Sequence, residues 1–117
     1  MKNFIWHNPR CSKSRQTLAL IQDAGIELDV VNYLETPPDG AQIAAACAGL
    51  ACKPTDIIRS KEALFGELGL SLDDTRSENQ WCDVLSQHPR LLERPIVRIH
   101  GRYALGRPPE NVSALLG

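Results

Sequence analysis

The chain has 117 residues, of which 43% are apolar, and its 13 Lys and Arg nearly balance its 14 Asp and Glu to leave a net charge of -1. That length closes one modest core, and the balance excludes the long-range field that would gather nucleic acid or an anionic membrane surface. No window approaches the roughly 18 apolar residues of a bilayer span, and no basic stretch leading into an apolar run opens the sequence, so a cytoplasmic protein of one domain, residues 1–117, is expected, with any anion site local.

Taken in chain order, Lys2 to His7 is short and rich in Phe, Ile and Trp and reads as a strand. Ser12 to Ala24 sets Leu18, Ile21 and Ala24 at helical spacing before Gly25, a natural stop. Leu28 to Tyr33 is a second strand, and the strand–helix–strand order implies a right-handed crossover with a parallel pair. After Thr36-Pro37-Pro38, Asp39 and Gln42 form a capping-box signature, and Ile43, Ala46, Cys47 and Leu50 share one face of the helix that follows. Further helical pieces are expected around Ile57-Ile58, from Leu64 to Leu68, and from Ser77 to Gln87, where Ser77 and Gln80 repeat the cap and Trp81 and Leu85 pack one turn apart. Ile96 to Ile99, a His100-Gly101 turn and Arg102 to Leu105 read as a hairpin, and Pro108-Pro109 introduces a short final helix carrying Val112, Leu115 and Leu116. The order predicts an α/β, thioredoxin-like fold: a mixed four-stranded sheet with helices on both sides and a helical insertion.

The stretch "WHNPRCSKSRQTL" puts Cys11 between the end of the first strand and the start of the first helix. In parallel α/β sheets that carboxyl edge is where ligands sit. Unpaired amides of the first turn and the helix dipole favour a thiolate there and hold a thiol's pKa below its ordinary value. With Asn8, Arg10, Ser12, Lys13, Ser14 and Arg15 around it, Cys11 reads as a nucleophile in an anion nest. His7, Ser14 and Arg15 are candidates for tuning that thiolate, although a strand-end histidine satisfied by backbone is an equally good reading of His7.

The segments "HNPRCSKSRQTL" (7–18), "NYLETPP" (32–38), "IIRSKE" (57–62), "ERPIV" (93–97) and "GRPPE" (106–110) together resemble the glutaredoxin-coupled arsenate reductases, along nearly the whole chain. The resemblance implies that Cys11 attacks arsenate, that Arg59, Arg94 and Arg107 bind the oxyanion, and that Pro95 is the cis-proline beside the site. It further implies glutathione as co-substrate, glutaredoxin as the partner that resolves the mixed disulfide, and release of arsenite. No metal or bound cofactor, no nucleic acid or membrane partner, and a monomer are expected. Read residue by residue, the three arginines would pass for solvated surface side chains. The chain is shorter than the long arsenate reductases and has Ser12 where they commonly place glycine.

The Spx-type transcription regulators of the same superfamily, which bind RNA polymerase, offer a non-enzymatic alternative. They usually carry a redox CxxC here, whereas this chain pairs Cys11 with Ser14. Of the other cysteines, Cys47 reads as core packing, and Cys52 and Cys82 have no diagnostic spacing to Cys11. None of the four forms a CxxC pair or a zinc pattern.

Overall fold

The computed structural model describes residues 2–116. Its chain divides into two compact units, one comprising the described residues up to Thr36 and from Arg94 onward, the other Pro37–Glu93.

The first unit holds a four-stranded mixed sheet. Strands β1 (Phe4–His7) and β2 (Asp29–Asn32) are parallel and joined through helix α1 (Ser12–Asp23), while β3 (Ile96–Ile99) and β4 (Arg102–Leu105) form an antiparallel hairpin, giving the order β2-β1-β3-β4. His100 (φ 53) and Gly101 (φ 78) both take left-handed backbone, the turn whose twist matches a two-residue hairpin. In register, Ile5 lies beside Val97 and Val97 beside Ala104. These three, with Ile99, Ile21 of α1 and Val112 and Leu115 of the 3-10 helix Pro109–Leu115, make one buried cluster. The period-two alternation of the strands thus aims one face at α1 and the C-terminal 3-10 helix. On the other face Phe4 stacks on Trp6, and Arg98 lies over the Phe4 ring.

The second unit is the predicted helical insertion between β2 and β3. Helix α2 (Gly40–Leu50) opens on the Asp39/Gln42 capping box and α4 (Glu78–Gln87) on the Ser77/Gln80 box, each with both reciprocal hydrogen bonds made. A short α3 (Ala63–Glu67) lies between them. The buried face of α2, Ile43, Ala46 and Cys47, and that of α4, Trp81, Cys82 and Leu85, supply much of this unit's core. One expected piece is absent: Ile57-Ile58 is not helical. The 3-10 helix Pro54–Asp56 ends just before it, and Ile58 bridges Leu92 in antiparallel fashion while Glu93 N–H donates to Ile57 O at 2.8 Å. Two consecutive β-branched residues, both buried, are better accommodated in that extended pairing.

Candidate active site

Cys11 is the N-cap residue of α1, in extended backbone (φ -96, ψ 122). The loop before it is tied by short hydrogen bonds. Arg10 N–H donates to Asn8 Oδ1 and Cys11 N–H to Asn8 O, each at 3.0 Å, and Arg15 Nη1 donates to Pro9 O at 2.9 Å. The sulfur is therefore free to meet the amides that the helix start leaves unpaired. Burial is the largest influence on the Cys11 thiol and pushes it up. The Ser14 N–H, the Arg94 guanidinium through hydrogen bond and charge, and the Lys13 N–H together outweigh it and hold the thiol below its ordinary value.

Arg94 is the first residue of the returning chain, one before β3's proline lead-in. Burial disfavours its cation, but the hydrogen bond to Cys11 and the Tyr33 phenol more than compensate, so the guanidinium stays charged. Tyr33, 1% exposed and directly after β2, thus bears on the arginine that contacts the sulfur. The Arg94 Nε is buried and has no hydrogen-bond partner among the described residues. The Arg94-Pro95 peptide bond is cis, and so is Arg107-Pro108, which the sequence did not signal. Arg107 is itself exposed, and its Nη1 donates to Arg94 O at 3.3 Å, which ties it to the backbone of the arginine that reaches the sulfur.

The three tuning candidates separate. Ser14 is fully buried, and its backbone, not its hydroxyl, serves Cys11. The Oγ accepts the Asn8 N–H at 3.0 Å and lies 2.6 Å from His7 Nδ1. Burial first, and the Arg15 charge second, hold His7 below the ordinary imidazole range. The ring is therefore neutral at pH 7, and its tautomer sets which way the Nδ1–Oγ hydrogen bond runs. Position 14, where a dithiol protein would carry its second sulfur, is here a hydroxyl committed to locking β1 onto α1. Arg15 caps the loop through Pro9 O and bears on His7 by charge.

Arg59 belongs to the second unit, where it lines a cavity of about 420 Å³ with Ser60, Lys61, Glu62 and Glu93. Its Nε lies 3.5 Å from Glu62 Oε1, and its Nη1 is buried without a hydrogen-bond partner among the described residues. A reading of Arg59 and Arg94 as freely solvated is thus incorrect: both are half-buried.

Gly106 contributes through its size. A Cβ there would stand 2.6 Å from Thr17 Oγ1 and 2.8 Å from Pro95 Cγ, so only glycine lets β4's end pass between α1 and the cis-proline. Gly106 N–H donates to Pro95 O at 2.9 Å in the same place. Neither Gly106 nor Tyr33 stands out in the sequence except as a letter in a motif. No group of His, Cys, Asp and Glu among the described residues is arranged to hold a metal ion, and no described helix is long and apolar enough to cross a membrane.

A thiol held below its ordinary pKa at a helix N-terminus, with an arginine against it and a cis-proline next to that arginine, marks a thiol-centred site on a thioredoxin-like scaffold. Comparison with known proteins narrows the class. The ArsC family profile matches residues 6–115, and the chain belongs to that family. It is 45% identical over 115 residues to an arsenate reductase of Neisseria meningitidis serogroup A, covering 96% of each chain. An uncharacterised Escherichia coli protein is 44% identical over 114 residues, covering 97% of this chain and 95% of its own. Among solved structures, an arsenate reductase from Vibrio cholerae superposes with a TM-score of 0.90 at 40% identity, covering 98% of each chain.

Proposed function

We propose that this protein is an arsenate reductase that draws its electrons from glutathione and glutaredoxin. The observation that carries the reading is the Cys11 sulfur held between the Ser14 and Lys13 amides and the Arg94 guanidinium. Arsenate presents several anionic acceptor oxygens, which planar guanidinium donors and helix amides suit as they suit phosphate. An oxyanion would also meet the buried Arg94 Nε, whose unpaired state is otherwise costly.

In the proposed reaction the Cys11 thiolate displaces one arsenate oxygen, which leaves as water after taking up protons, and a Cys11–arsenic bond forms. Two electrons then come from thiols, so that arsenate and two thiols yield arsenite, one disulfide and one water. Ser14 supplies no second sulfur, and external glutathione followed by glutaredoxin meets that need. Arg94 anchors the anion, Arg107 holds the backbone of Arg94, and the resemblance adds Arg59 as a further ligand. The protein is proposed to act as a cytoplasmic monomer; its four cysteines are free thiols, which fits a reducing compartment.

The test is a coupled assay with purified reduced protein, arsenate, glutathione, glutaredoxin and NADPH. Arsenate-dependent NADPH oxidation that needs both thiol components, and disappears in Cys11→Ser, is expected. Folded, reduced protein with no turnover would overturn the reading, and turnover without glutaredoxin would replace the electron donor. Unchanged turnover in Arg59→Lys would remove Arg59.

A further inference from the structure

Helix α2 ends with Ala51 in left-handed backbone (φ 54), and two hydrogen bonds close it: Cys52 N–H to Cys47 O at 3.0 Å and Ala51 N–H to Ala48 O at 3.1 Å. This six-to-one and five-to-two pair is a Schellman turn, which folds the residue after the turn back onto the residue three before the helix end. Those two side chains are usually an apolar contact. Here both are thiols, Cys47 and Cys52, close enough for each to shift the other's titration. They line a cavity of about 160 Å³ with Ala44, Ala48, Glu78 and Cys82. Cys47 and Cys82 are buried, while Cys52 is half-exposed and gives access.

We propose that Cys47 and Cys52 form a dithiol site that captures a trivalent arsenical, at the Schellman turn that closes α2. The choice of ligand rests on the arsenate reductase reading, whose product is trivalent arsenic. Burial foremost, with the neighbouring sulfurs, pushes the Cys47 thiol up to about 12, so the pair is protonated at neutral pH. A divalent metal needs thiolates and must expel those protons. Arsenous acid carries the acceptor for them: each new As–S bond replaces one As–OH and one S–H, and the thiol proton leaves with the hydroxide as one water. Two thiols therefore bind one arsenic with loss of two waters, and no electron moves.

The test uses the full-length, reduced Cys11→Ser chain, which removes the reactive thiol and makes the result independent of turnover. The probe is phenylarsine oxide, which condenses with two thiols and releases one water. One phenylarsenic group per chain is expected, bridging two sulfurs of a single tryptic peptide, since no Lys or Arg separates Cys47 from Cys52. Adding Cys52→Ser should abolish the adduct, adding Cys82→Ser should leave it, and arsenous acid should compete for it. Absence of the adduct in folded Cys11→Ser protein, a bridge to the peptide carrying Cys82, or survival of the adduct without Cys52 would each overturn the proposal. If the Cys52→Ser chain fails to fold by circular dichroism, the peptide map of the Cys11→Ser chain decides. Loss of arsenate turnover in the wild type would refute the reductase reading while leaving this binding result standing.

Discussion

Two helix ends in this molecule carry cysteine, and they make opposite thiols. Cys11 starts α1, where amide donors and Arg94 overcome the burial that would raise it. Cys47 lies near the end of α2, where burial and neighbouring sulfurs and Glu78 all push the same way, up to about 12. Both are desolvated, so burial does not separate them. The sign of the nearest dipoles and charges does: N–H groups and a guanidinium at one end, the carbonyl end of a helix and other thiols at the other.

Four substitutions or titrations break or sharpen that contrast. The largest effect is expected at Arg94. Lysine keeps the charge and loses the fork, so Arg94→Lys should cost about 1–3 kcal/mol in transition-state terms, the scale of charge-assisted hydrogen bonds. It should also move Cys11 alkylation to higher pH while urea unfolding is little changed. Gly106→Ala works from behind the site: the added methyl meets Thr17 and Pro95, and overpacking of that kind costs about 1–3 kcal/mol in stability, read as a lower urea midpoint at constant m-value.

The third is a titration of the opposite thiol. The folded-state pKa of Cys47 lies above the ordinary value of 9.0, so its contribution to stability is fully present below pH 9 and is lost as pH rises toward 12. Stability measured from neutral to alkaline pH should fall through that window, and Cys47→Ala should flatten the dependence. The smallest effect is a control: Asp39→Ala removes the α2 cap at a cost of about 1 kcal/mol and should leave the pH profile of Cys11 alkylation unchanged.

Much of this was legible because it is local. Asp39 with Gln42, Ser77 with Gln80, the His100-Gly101 turn and the placement of Cys11 are all signalled by residues within one turn of one another. The contacts that complete the site are not. Tyr33 meets Arg94 across 61 positions and Thr17 meets Gly106 across 89, and no spacing rule reaches that far; the five-motif resemblance singled out Arg59 and Arg94, which their own chemistry would have left on the surface and which are half-buried, while Arg107 is exposed. The Schellman turn was hidden for another reason, because Ala51 takes a left-handed conformation that glycine would have announced. Ile57-Ile58 misled as a helix because a short apolar run carries no period of its own.

The most direct test of the contrast is alkylation of the native, reduced protein with iodoacetamide across pH, with mass spectrometry resolving the four cysteines. Cys11 is expected to react first and half-maximally below the ordinary thiol range, while Cys47, Cys52 and Cys82 react only above it. Four thiols titrating together, or Cys11 reacting last, would contradict that order.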